Sequence, residues 1–121
     1  MKINLAIIGA GKWGMNHVKT ANGLLKEDLR WVCDVNEGTK KKLEDLGIVA
    51  KFTKDIEDVI NDESVNAVII SSSAETHFEI AKKCLVNKKN VLVEKPITLE
   101  TKEAKELIRI AEDNNLKLMV G

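Results

Sequence analysis

Proline occurs once in the 121 residues, cysteine twice, and aromatic side chains make up only 3% of the chain. With one proline, Pro96, and no Pro/Gly-rich or low-complexity tract, nothing in the composition marks a linker, and no internal repeat divides the chain. Cys33 and Cys84 lie inside apolar patterns and not in a paired or metal-ligand spacing, which suits reduced, packed thiols and gives neither a chemical role. Net charge is also missing. Nineteen Lys and Arg cancel nineteen Asp and Glu, and no segment interleaves bases with aromatics, which argues against nucleic acid as a partner. Long hydrophobic runs are absent: Leu5 to Ile8 and Ala67 to Ile70 fall far short of the ~20 residues a membrane helix needs. The N-terminus, Met-Lys-Ile-Asn, enters an apolar run without a small-residue cleavage site, so no secretory signal is expected and the cytoplasm is the expected location.

What is present is ordinary globular composition, 44% hydrophobic and 31% charged, at the size of one domain with one core. Short apolar runs alternate with amphipathic stretches from end to end, the pattern of β-α units wound onto a parallel sheet. Strands are expected at Ile3 to Ile8, Leu29 to Cys33, Ala50 to Phe52, Val68 to Ser71, Asn90 to Val93 and Lys117 to Val120. Most are continuous runs, as strands covered on both faces should be, so helices must flank the sheet on both sides. The helices are expected at Trp13 to Ala21, Glu37 to Leu46, Ile56 to Asn61, Thr76 to Val86 and Glu100 to Asp113. In the last, Ala104, Leu107, Ile108 and Ala111 share one face; Thr98 is read as its N-cap, and Gly47 as the glycine ending the second helix. The right-handed crossover rule then favours a doubly wound α/β sheet, a three-layer Rossmann fold whose ligands bind beyond the carboxyl ends of the strands.

Gly9-Ala10-Gly11-Lys12-Trp13-Gly14 is a G-x-G-x-x-G that follows an apolar run and opens a helical one. Gly9 permits the tight turn, Gly11 lets a diphosphate approach the backbone, and Gly14 lets helix and strand pack closely. The amides of Lys12 and Trp13 then face the phosphates with the positive end of the helix dipole. Glycine turns of this kind also arise for structural reasons alone. Asp34, about 20 residues farther on at the end of the second strand, makes the dinucleotide reading the better one, because a carboxylate there accepts hydrogen bonds from the adenosine ribose. It would also repel a 2′-phosphate, so NAD is favoured over NADP. Lys40, Lys41 and Lys42 stand against that preference only if they reach the phosphate instead of forming the solvated face of the second helix. S-adenosylmethionine enzymes share a glycine loop and a later acid, but the acidic residue that usually ends their first strand is replaced here by Ile7 and Ile8.

Two later strand ends share the ligand edge. The fourth strand runs into Ser71-Ser72-Ser73-Ala74-Glu75-Thr76-His77, either a loop backing a nicotinamide ribose or a polar loop with capping serines, and His77 alone reads as a helix-start residue. The fifth runs into Glu94-Lys95-Pro96, where a lysine can meet a substrate oxygen or a Glu-Lys ion pair can be structural. Together, Gly9-x-Gly11-x-x-Gly14-x-x-His17, Asp34, His77 and above all Val91-Leu92-Val93-Glu94-Lys95-Pro96 resemble the glucose-fructose oxidoreductase/inositol dehydrogenase (Gfo/Idh/MocA) family over essentially Met1 to Val120. The resemblance implies an NAD(P)-dependent oxidoreductase acting on a sugar, cyclitol or related polyol. It places Lys95 beside the nicotinamide and the reacting hydroxyl, Glu94 near the nicotinamide ribose, and a cis bond between Lys95 and Pro96; Ser71, Ser72, Ser73 and His77 on the fourth-strand exit are expected to line the coenzyme site with them. Lys12-Trp13-Gly14-Met15-Asn16 also resembles a segment of members that oxidise nucleotide-linked sugars. Ser72-Ser73 stands where the family commonly has Thr-Pro. The resemblance further implies a second, mostly antiparallel α/β domain, expected beyond this chain, that completes the substrate pocket and forms a homo-oligomer. A stand-alone dinucleotide-binding redox sensor is the alternative, although a sensor has no need of an ionisable residue beside the nicotinamide.

Overall fold

The computed structural model describes residues 2–121. All four residues of strand β1 (Leu5–Ile8) are buried because cores form on both sides of it. Ala6 and Ile8 join one core, with Val59, Leu85 and Leu107, while Leu5 and Ile7 join the other, with Met15, Val18 and Leu43. The remaining strands are β2 (Leu29–Cys33), β3 (Lys51–Thr53), β4 (Ala67–Ile70), β5 (Asn90–Val93) and β6 (Leu118–Val120). They form one six-stranded sheet in the order β3-β2-β1-β4-β5-β6, with every pairing parallel. The order reverses direction between β1 and β4, which opens a crevice at their carboxyl ends.

Helix α1 (Lys12–Leu25) buries Gly14, Met15, Val18 and Ala21 at helical spacing. With α2 (Gly38–Asp45) it covers one face; α3 (Ile56–Ile60), α4 (His77–Val86) and α5 (Thr101–Asp113) cover the other, so the layers are α/β/α. Gly47, at φ +68, follows the end of α2 in the left-handed conformation expected of a glycine stop. The half of the α1 side formed by β4, β5 and β6 carries no helix and forms an apolar groove with Ile69, Leu92, Met119 and Leu24 on its walls.

Several boundaries and contacts differ from expectation. α1 runs on to Leu25, and short 3-10 turns occupy Lys26–Asp28 and Ala74–Thr76. β3 spans Lys51–Thr53, one residue later than expected at each end. Ile3 is exposed and outside β1. Thr98 does not cap α5. Its Oγ1 donates to the Glu100 carbonyl at 2.7 Å, and Glu100 itself is the N-cap, with no side-chain bond. The buried stripe of α5 is rotated relative to the expected one: Ile108 is 46% exposed, and Ile110 packs against the core with Leu107 and Ala111. The two cysteines are buried and free, as their apolar surroundings predicted.

Candidate functional site: a split crevice at the strand ends

The glycine loop leaves β1 through Gly9, whose φ of +91 belongs to the left-handed side that glycine alone adopts without strain. A Cβ there would also lie 2.4 Å from the Ser72 amide nitrogen. At Gly14 the fit is tighter still, since a Cβ would sit 1.9 Å from the Gly9 carbonyl oxygen. The missing side chain thus lets α1 seat directly on the turn, and the Ser71 hydroxyl completes the joint by donating to that same carbonyl at 2.6 Å. Gly11 is different: a Cβ on it would meet nothing within 4 Å. Its bare side faces open space at the start of α1.

That helix start is built to receive an anion. Gly11 is the N-cap and provides no side-chain bond, the first turn has no acidic residue, and the first helical hydrogen bond is Met15 N–H to Gly11 O at 2.8 Å. The amides of Lys12, Trp13 and Gly14 are therefore outside the helical ladder.

Two clefts meet at this loop. The first, about 520 Å³, is lined by Gly9, Gly11, Cys33, Asp34, Lys54 and Asp55 together with Ser71, Ser72 and Ser73. Asp34 is held in position from its own side of the sheet: Thr39 Oγ1 donates to its Oδ2 at 2.8 Å, and its amide donates to the Thr53 carbonyl at 3.0 Å. Thr39 is buried and Asp34 half-buried. The cleft is acidic. Burial foremost, followed by the nearby Asp34, Asp55 and Asp58 carboxylates, pushes the Cys33 thiol up to about 11. Lys54 is the lysine that reaches this cleft, and it pairs with Glu37 at 3.1 Å. Lys40, Lys41 and Lys42 are all exposed on α2 and none lines the cleft, which places them on the solvated face.

The second cleft, about 680 Å³, lies on the other side of the loop and is lined by Trp13, Asn16, His17, Thr20, Ser71, Ser72, Ala74, His77, Glu94, Lys95 and Gly121. Trp13 is 70% exposed at its rim. Lys95 is exposed, and its bond to Pro96 is cis. Glu94 does not pair with the adjacent Lys95, as an ion pair at the strand end would require; its Oε1 lies 2.6 Å from His17 Nε2 on α1. His77, 1% exposed, is the floor of the cleft. Its Nδ1 lies 2.7 Å from the Pro96 carbonyl and its Nε2 2.9 Å from the Ser72 carbonyl. A neutral ring donates to only one of the two, and a doubly protonated ring donates to both. In either form both nitrogens are turned to the main chain, so His77 ties the β4 and β5 exits together and presents no free nitrogen to a ligand.

The fold gathers the glycine loop, Asp34, the serine loop and Glu94-Lys95, all expected at the ligand edge, along one edge of the sheet. Sequence reasoning did not single out Thr39, Lys54, Asp55 or Thr20, nor a partner for His17. Among the described residues, no group of three or more His, Cys, Asp or Glu is gathered to hold a metal, and no helix is long and apolar enough to cross a membrane.

The chain is similar to known proteins along its whole length. The family model described as an oxidoreductase family with an NAD-binding Rossmann fold matches residues 3–121. Over 118 residues the chain is 37% identical to the uncharacterised oxidoreductase YhhX of Escherichia coli, covering 96% of this chain and 34% of that protein. Over 122 residues it is 34% identical to inositol 2-dehydrogenase of Salmonella typhimurium, covering 99% and 36%. Among solved structures, GenD2 from gentamicin A biosynthesis, crystallised with NAD, superposes with a TM-score of 0.90 at 30% identity, over 99% of this chain and 34% of that one. The chain therefore spans about a third of the length of the curated relatives it matches. Matched along nearly all its residues and carrying the glycine loop, the strand-end acid and the Glu-Lys-Pro corner in one crevice, this chain belongs to the Gfo/Idh/MocA oxidoreductase family and has its NAD-binding Rossmann fold.

Proposed function

We propose that the chain is the coenzyme-holding part of an oxidoreductase that moves a hydride between nicotinamide and a carbinol carbon of a sugar or cyclitol, with NAD preferred over NADP. The observation that carries this reading is that two clefts flank one glycine loop and share Ser71 and Ser72, with Asp34 in one and Glu94 and Lys95 in the other. The residues present fit the dinucleotide. The open side of Gly11 and the unladdered amides of Lys12 and Trp13 suit a diphosphate between the clefts. Asp34 suits the adenosine ribose diol, and the acidity of its cleft disfavours a 2′-phosphate.

Bound nicotinamide supplies the hydride acceptor or donor. The protein's share is orientation and charge. Glu94 and the serine loop hold the nicotinamide ribose. Lys95 meets the reacting oxygen, binds the substrate through it, and takes part in moving its proton. The names of the inositol 2-dehydrogenase relatives support a cyclitol or sugar substrate. We place the opposite wall of the substrate pocket, and the oligomer contacts, in a second α/β domain; the two buried free thiols suit a cytoplasmic setting.

Calorimetric titration with NAD and NADP separately tests the reading. NAD is expected to bind the more tightly, and failure of both to bind overturns it. In the complete enzyme, Lys95→Ala is expected to cut turnover by about 10²- to 10⁴-fold with coenzyme affinity within a few-fold; unchanged turnover would remove Lys95 from the chemistry.

A further inference from the structure

Resting on the coenzyme reading above, we infer that His17 is a positioning residue: its ring fixes the Glu94 carboxylate so that the free oxygen, Oε2, faces the ribose diol at the nicotinamide end. Glu94 leaves β5 with its main chain pinned, its amide donating to the Ile70 carbonyl at 2.9 Å. Only the side chain is left to be ordered, and a glutamate in open solvent samples many rotamers. Here Nε2 of His17 meets Oε1 at 2.6 Å. Gly121 lies nearby, and a Cβ built on it would stand 3.3 Å from the same oxygen.

The pair is neither buried nor freely solvated, at 27% exposure for the His17 side chain and 28% for Glu94, and it lines the same cleft as Lys95. Among the described residues the His17 contact is the only hydrogen bond the Glu94 carboxylate makes, so Oε2 keeps its full accepting capacity. A carboxylate accepts and does not donate, and a ribose diol can donate, so the chemistry of the free oxygen matches that ligand. An α1 side chain thus shapes the nicotinamide end of the crevice while the start of the same helix faces the diphosphate.

The test is calorimetric titration of the chain with NAD and with ADP, which lacks the nicotinamide ribose. His17→Ala is expected to weaken NAD binding about 2- to 13-fold, the net worth of an ordinary hydrogen bond, and to leave ADP within about two-fold. His17→Gln, whose amide can donate to Oε1, is expected to recover most of the loss. Combining His17→Ala with Glu94→Gln is expected to cost little more than Glu94→Gln alone. Wild-type NAD affinity in His17→Ala, or equal loss of NAD and ADP, overturns the inference. If His17→Ala does not fold, the decision falls to His17→Gln and Glu94→Gln: matching loss of NAD and ADP in both refutes it, and a loss in Glu94→Gln confined to NAD with near-normal His17→Gln supports it. Failure of the unsubstituted chain to bind NAD at all strikes the coenzyme reading instead.

Discussion

Alanine at position 11 should separate ligand binding from folding. The added methyl meets no protein atom within 4 Å, and the backbone, at φ −70 and ψ −154, is extended and not left-handed. Reduced freedom of the unfolded chain stabilises by about 0.4–1 kcal/mol, and the poorer N-cap offsets this by a similar amount. The melting temperature should therefore move by no more than a few degrees. Binding should not be spared. The methyl projects into the space beside the amides of Lys12 and Trp13, where a phosphate would have to approach. Losing one hydrogen bond to a charged group costs about 1.5–3 kcal/mol, a loss of affinity of roughly 10- to 100-fold. Titration with NAD and a circular dichroism melt on the same sample read both quantities. Gly14→Ala is the counterpart: a Cβ 1.9 Å from the Gly9 carbonyl must push α1 off the turn, at a cost of about 1–3 kcal/mol or more in stability. Wild-type NAD affinity in a folded Gly11→Ala chain would refute the placement of the diphosphate.

Asp34→Ala should weaken NAD by about 10-fold or more and NADP much less, narrowing the preference between them; an unchanged ratio of the two dissociation constants counts against the ribose contact. Burial pushes Cys33 up to about 11 and Cys84 up to about 12, so both stay thiols near neutrality. Iodoacetamide at about pH 8 should therefore leave the native chain unmodified and label both cysteines after denaturation, as read by mass spectrometry. Hydrogen bonds from Ser64 foremost, assisted by Trp31 and the charge of Lys89 against the opposing effect of burial, hold the Asp62 carboxyl below its ordinary value. Its folded-state value lies under the unfolded one, so its stabilisation is complete above the ordinary carboxylate range and is lost as pH falls through that lowered value. Asp62→Asn should flatten the acid limb of a stability-against-pH curve, and an unaltered limb would show that the carboxylate contributes nothing there.

The fold was legible because its signals are local. Leu5 to Ile8 reads as an unbroken apolar run since both faces of that strand are covered, Leu29 to Cys33 and Asn90 to Val93 are each apolar but for Arg30 and Asn90, and the Gly9 to Gly14 loop has its meaning written in six consecutive positions. Asp34 was legible for the same reason, at a fixed distance from that loop. The parts that were missed depend on sheet order. Glu94 finds His17, 77 residues away, only because β1 stands two strands from β5 and aims α1 across the crevice. Lys54 enters the Asp34 cleft because β3 is the far edge strand, and nothing in the Lys40-Lys41-Lys42 run could reveal that a different lysine would stand there. Ile108 and Ile110 are both at reachable angles on α5, and the choice between them was made by where α4 lies.

One imidazole spans the gap between two loops that come from neighbouring strands. Those loops are coupled like the jaws of a vice sharing a spindle: a push on the serine side is felt at the proline side. Ligand-induced shielding in hydrogen exchange should accordingly rise in both segments with the same concentration dependence, including when the molecule added touches only one.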